Sequence, residues 1–157
     1  MIAGRVFVMP KKELRHPSQV EDWLKDWGAR LPAGSSLILI GSGGLLWHAA
    51  QSGKKVALPE NSMDVDPVTA SDAVAELCYE ALIGSEFELR HGWHVNLMPS
   101  TVLGELPPDW IARSSQKTYG NLEVTVPHPA DLLAPKLRRN EPRDRKHAAW
   151  ASEVGLL

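Results

Sequence analysis

The sequence predicts an α+β domain, a mixed β-sheet with flanking helices. Of its 157 residues, 43% are apolar and 23% charged, close to the globular average, so a core can be buried and neither disorder nor a fibrous repeat is favoured. Segments of helical and of strand period both occur, without the steady strand–helix–strand rhythm of a doubly wound sheet. No internal repeat or low-complexity tract interrupts them, and the Pro/Gly clusters are short enough to be turns. The expectation is one domain over residues 1–157, with an N-terminal helix at about 18–28 and a core at about 37–150.

Ser18-Gln19-Val20-Glu21 has capping-box spacing, Val20, Trp23, Leu24 and Trp27 recur at i, i+3, i+4 and i+7, and Gly28 can close the end. That is an amphipathic helix. Leu37 to Ile40 is a short apolar run between Gly34-Ser35-Ser36 and Gly41-Ser42, a buried strand entering a tight turn, and Gly43 to Ser52 continues as a helix. From Ser62 to Val68, Met63, Val65 and Pro67 alternate with Asp64 and Asp66, so one strand face is apolar and the other carries both carboxylates. Ala70 to Ile83 carries Val74, Leu77, Cys78, Ala81 and Leu82 on one stripe, a helix closed by Gly84. Strands are expected around Phe87 to Arg90, around His94 to Met98 and at Leu122 to Val126. Pro107-Pro108 starts a short helix to Ser114. Two helices finish the chain, at about Pro129 to Arg139 and Arg143 to Val154, and Pro135 should kink the first.

Composition narrows the function. The apolar run Leu37 to Ile40 is far shorter than the roughly 18 to 20 residues that span a bilayer, so no transmembrane helix and no membrane partner is expected. Met1 to Val8 lacks a basic segment followed by a long apolar one, and a cytoplasmic location is expected. The single Cys78 can form neither an internal disulfide nor a zinc knuckle and reads as a buried small hydrophobe. His91 and His94 have ligand-like spacing but no second pair, so they read as turn residues; the six tryptophans read mainly as core. Net charge is −2, yet the charges are segregated. Val56 to Leu89 holds eight acids and no Lys or Arg, whereas Ile111 to His147 holds eight bases against four acids. An acidic centre followed by a basic tail suits a divalent metal and a polyanion; two solvated helix faces would give the same pattern.

The chemistry concentrates in two places. Gly41-Ser42-Gly43 stands between a buried strand and a helix, where backbone N–H groups and a helix N-terminus can hold phosphate oxygens. Asp64 and Asp66, at i and i+2 on one strand, present both carboxylates to one side and can share divalent cations. Such cations neutralise nucleotide phosphates and activate an attacking hydroxyl.

Taken in order, the strand, the Gly-Ser turn, the helix and Ser62-Met63-Asp64-Val65-Asp66 resemble the minimal nucleotidyltransferases of the DNA polymerase β superfamily, and within them the AbiEii-type toxins and their uncharacterised relatives. Leu106-Pro107-Pro108-Asp109-Trp110-Ile111, Pro129-Ala130-Asp131-Leu132-Leu133-Ala134-Pro135-Lys136-Leu137 and Arg143-Asp144 resemble further segments of those relatives, so the likeness runs from about Leu37 to Trp150. It implies a nucleotidyltransferase-like mixed sheet, and a Mg²⁺-dependent transfer of a nucleotidyl group from an NTP to RNA, tRNA foremost, or to another hydroxyl acceptor. It also implies a place in a toxin–antitoxin pair with an antitoxin protein as partner. Residue by residue, Gly41, Ser42 and Gly43 would meet the triphosphate, Asp64 and Asp66 would hold Mg²⁺, Lys136 would bind phosphate, and Asp144 would support the site or orient the acceptor. Three departures stand out. The family's third acidic position falls at Asn96, a poorer metal ligand, with Glu86 or Glu88 as other carboxylates that could reach the site; the closing Arg-Asp-x-x-Asp pattern ends in His147; and Pro135 interrupts the helix that carries Lys136. A catalytically degenerate module that binds nucleotide or protein is the alternative these departures keep open.

Overall fold

The computed structural model describes residues 13–59 and 62–157; the Met1 to Val8 segment discussed above lies outside them. Seven α-helices and five strands follow one another along the described residues, with a 3-10 helix at Ser100–Glu105. In chain order they are α1 (Pro17–Arg30), β1 (Ser35–Ile40), α2 (Gly41–Gln51), β2 (Asp64–Val68), α3 (Asp72–Glu80), α4 (Glu86–His91), β3 (His94–Val95), α5 (Trp110–Arg113), β4 (Ser115–Tyr119), β5 (Leu122–Val126), α6 (Pro129–Arg139) and α7 (Pro142–Glu153). The strands form one mixed sheet in the order β3-β2-β1-β5-β4. β1 runs antiparallel to β2 and parallel to β5, β2 parallel to β3, and β4 antiparallel to β5. The fold is therefore mixed α+β, as the patterning requires.

The apolar stripe of α1 is buried as its period demands: Val20, Trp23, Leu24 and Trp27 all lie in the core. Its start differs from the sequence reading. His16 is the N-cap, and Gln19 closes the box by accepting from His16 N at 2.8 Å, because Pro17 takes the first helical position. Gly28 does not end the helix either, which runs on to Arg30. Its missing side chain serves packing, since a Cβ there would stand 1.9 Å from the Tyr119 backbone oxygen.

Two further expectations need correction. Phe87 to Arg90 is not a strand but part of α4, whose first turn is capped by Ser85 Oγ accepting from Glu88 N and whose end is Gly92 at φ +79°. Glu86 and Glu88 accordingly sit on a helix. The strand expected at His94 to Met98 is regular for only two residues, although Asn96 N and Met98 N still donate to Val65 O and Pro67 O along β2. β4, mostly polar and outermost in the sheet, has no counterpart among the expected strands. Cys78 is buried, and burial pushes its thiol up to about 12, as befits a packing residue. All six tryptophans are buried.

Candidate functional site

β1 and β2 pair antiparallel with Ile40 opposite Asp66, so the end of β1 delivers the chain to the carboxylate face of β2. There α2 begins at once. Gly41 takes φ +70°, a backbone state that disfavours side chains, and a Cβ on it would lie 2.7 Å from Asp66 Oδ2. Glycine is thus required twice over, by torsion and by proximity. Ser42 follows with its hydroxyl buried at the head of α2. Gly43 has a different task from the one expected: a Cβ there would meet Val65 Cγ1 at 3.1 Å, so its bareness seats α2 on the sheet. Gly41 and Ser42 line a cleft of about 450 Å³, together with Asp64, Asp66 and Asn96 on one side and Lys136, Arg139 and Arg143 on the other.

The acidic wall is under electrostatic tension. Asp64 and Asp66 point to the same side of β2, and both line the cleft. Burial, and then the neighbouring Asp64 charge, push the Asp66 carboxyl up to about 6, partly offset by Asn96, whose Nδ2 donates to Asp66 Oδ1 at 3.2 Å. The third position of the acidic cluster is therefore in place geometrically, as a neutral amide. Glu88 does not join the aspartates directly. It lies 2.8 Å from His94 Nδ1, and His94 Nε2 lies 3.8 Å from Asp64 Oδ2, so Glu88 acts on Asp64 only through His94. Among the described residues no group of three or more His, Cys, Asp or Glu side chains is disposed to hold a metal ion.

The basic wall comes from α6 and α7. α6 runs from Pro129 to Arg139 through Pro135, and Lys136 emerges buried, with Nζ donating to Ser42 Oγ at 3.3 Å. The proline does not misdirect the lysine. Burial lowers the Lys136 pKa, with Asp144 acting in the opposite sense. Asp144, only 1% exposed, is gripped by Arg139 through Nε to Oδ2 at 3.0 Å and Nη2 to Oδ1 at 2.6 Å, and it accepts from Glu141 N. That grip holds its carboxyl down at about 2. Asp144 therefore fastens α7 to α6 and lies 4.0 Å from Lys136 Nζ rather than lining the cleft.

The Leu-Pro-Pro-Asp-Trp segment is tied to the same scaffold. Arg113 on α5 binds both oxygens of buried Asp131 on α6 at 2.9 Å and lies 2.6 Å from Asp109. This closes the cleft's outer edge, where Val102, Glu105 and Leu106 join the lining. Sequence reasoning missed two participants. His94 was read as a turn residue, yet the parallel register of β2 and β3 sets it opposite Asp64. Arg139 carried no assigned role, although its i+3 spacing from Lys136 puts both on one face of α6.

The molecule so described is a mixed α+β protein whose cleft sets a paired-aspartate wall against a lysine–arginine wall across a glycine-serine strand end. No family model, curated protein or solved structure matches the chain.

Proposed function

We propose that this cleft binds a magnesium nucleoside triphosphate and transfers its nucleotidyl group to a hydroxyl acceptor, an RNA end being the acceptor that the sequence resemblance implies. The observation that carries the reading is the junction at Gly41-Ser42. One residue abuts Asp66 and the next receives Lys136, so groups suited to a cation and groups suited to polyphosphate converge within two residues.

The donor set fits a divalent cation in part. Two same-side carboxylates, one pushed up by burial and by its neighbour's charge, are relieved by a hard cation, which accepts oxygen ligands. Asp64 and Asp66 would hold Mg²⁺, which when bound neutralises phosphate charge and favours the hydroxyl as nucleophile. The residues of the chain supply the rest. Ser42 and the N–H groups at the head of α2 receive phosphate oxygens. Lys136 places a buried positive charge beside them, and Arg139 and Arg143 extend that charge to the cleft's edge. The acceptor oxygen bonds to the α-phosphorus while the bond to the β-phosphate breaks, leaving pyrophosphate and a proton.

Asn96 favours a second reading, a nucleotide-binding module without turnover, since an amide fills the position where the resemblance calls for a carboxylate. One experiment separates the two. Incubated with labelled NTPs, Mg²⁺ and total cellular RNA, the chain should label RNA, and the Asp64→Ala/Asp66→Ala variant should not. Binding of Mg-NTP without labelling selects the module; absence of both overturns the nucleotide reading.

A further inference from the structure

α6 and α7 meet through two residue pairs that follow one geometry. On α6, Lys136 and Arg139 are three residues apart; on α7, Asp144 and His147 are three residues apart, so each pair shares a helix face. Because the helices run back on each other, Arg139 meets Asp144 and Lys136 meets His147. The two meetings differ in chemistry. Arg139 engages both oxygens of Asp144, which leaves Lys136 Nζ 4.0 Å from the nearer one, beyond hydrogen-bond distance. The close partners of Lys136 are neutral oxygen and nitrogen: Ser42 Oγ at 3.3 Å and His147 Nδ1 at 3.4 Å. His147 is fully buried, so its imidazole stands in a fixed place.

We propose that His147 is the positioning residue for Lys136: its Nδ1 accepts from the ammonium and holds Nζ against Ser42, with the third N–H directed to one phosphoryl oxygen of a bound triphosphate. The proposal rests on the nucleotide reading for its ligand but not for the contact itself. An ammonium has three donors and no acceptor, so His147 Nδ1 must be unprotonated and its Nε2 must carry the proton. A neutral acceptor has a consequence that a carboxylate would not. It orients the lysine while leaving its charge uncancelled, so the positive charge remains available to an incoming phosphate. The histidine at the last position of Arg143-Asp144-Arg145-Lys146-His147 thereby has a physical role where the resemblance calls for an acid.

Two substitutions separate positioning from space-filling. Asn carries its terminal oxygen where Nδ1 stands, and Gln carries its polar atoms where Nε2 stands. If His147 positions Lys136, His147→Asn should bind inorganic tripolyphosphate within about twofold of wild type, whereas His147→Gln should lose about tenfold, the scale of one hydrogen bond to a charged group. Equal losses in both variants, or wild-type affinity in both, would overturn the proposal. Nitrogen-15 NMR of labelled histidine in the unaltered chain gives a readout that does not depend on how either variant folds. His147 should be the neutral Nε2–H tautomer, and an Nδ1–H tautomer would overturn the contact. An unaltered chain that shows this tautomer yet binds neither tripolyphosphate nor Mg-ATP would keep the His147–Lys136 contact, overturn its phosphate ligand, and overturn the nucleotide reading separately.

Discussion

Asp66 is the residue on which the electrostatics of the cleft turn. Its carboxyl titrates near 6 in the folded chain, raised first by burial and then by Asp64, against about 4 unfolded. An acid raised on folding binds more protons folded than unfolded between those values, so its contribution is full below about pH 4 and is lost as pH rises through about 6. Without divalent cation, stability should therefore fall by on the order of 2–3 kcal/mol across that window, and Asp66→Asn should flatten the slope. Urea denaturation at half-unit pH steps measures this; parallel profiles for the two proteins would refute it. Asn96 gives the converse test. Its amide donates to Asp66, so Asn96→Asp removes a donor and adds a charge. The variant should be less stable than wild type at pH 7 in EDTA and should bind Mg²⁺ more tightly, by about tenfold if the new carboxylate joins the cation site. Unchanged Mg²⁺ affinity in a calorimetric titration would mean that Asn96 lies outside any such site.

At the scale of elements, the contact between α1 and the β4–β5 turn shows how local propensity and packing can oppose each other. Gly28 lies inside α1, where alanine would ordinarily gain about 1 kcal/mol of helix propensity. Here its Cβ would stand 1.9 Å from the Tyr119 oxygen and 2.6 Å from the Tyr119 carbonyl carbon, both rigid backbone. The turn must then separate from the helix and lose the Asn121 N to Gly28 O hydrogen bond of 3.0 Å. Overpacking of this kind costs about 1–3 kcal/mol or more, so Gly28→Ala should be destabilised by about 2 kcal/mol despite the propensity gain. A denaturation midpoint at or above wild type would show that the turn yields freely. The same competition explains what the sequence did and did not disclose. Elements with long periodic stripes, α1 above all, were legible because burial repeats over several turns. α4 was misread because Glu86-Phe87-Glu88-Leu89 alternates over too few residues to separate the two periods, and Ser85 and Gly92 decide it through caps. β4 was invisible because Tyr119 is its one fully buried side chain, so an edge strand of this kind has no pattern to show. The site was legible where spacing within one element sets it, as for Asp64 and Asp66. It was hidden where pairing between elements sets it, as for His94 on Asp64 and Arg139 on Asp144.

Over the whole molecule, the cleft joins two halves of opposite sign. The sheet edge built from β1, β2 and β3 contributes carboxylates, and the α6–α7 pair contributes Lys136, Arg139 and Arg143. Neither ion of a metal–nucleotide complex suits the cleft alone. A triphosphate without metal gains the basic wall but faces Asp64 and Asp66, while Mg²⁺ without triphosphate gains the aspartates but faces Lys136 across the cleft. Each bound ligand removes the repulsion the other meets, and the coupling must be reciprocal by linkage. ATP should therefore bind at least tenfold more tightly in Mg²⁺ than in EDTA, a coupling of about 1.4 kcal/mol or more. The double variant Asp64→Ala/Asp66→Ala should lose the Mg²⁺ dependence while binding metal-free ATP at least as well as wild type, because the repelling wall has gone. Lys136→Ala should weaken ATP binding in both media, since it belongs to the wall that meets phosphate in either case. Calorimetry of these proteins in the two media gives the required affinities. Equal ATP affinity with and without Mg²⁺ in the wild-type chain would mean that the two walls do not share one ligand, and the convergence at Gly41-Ser42 would then need another explanation.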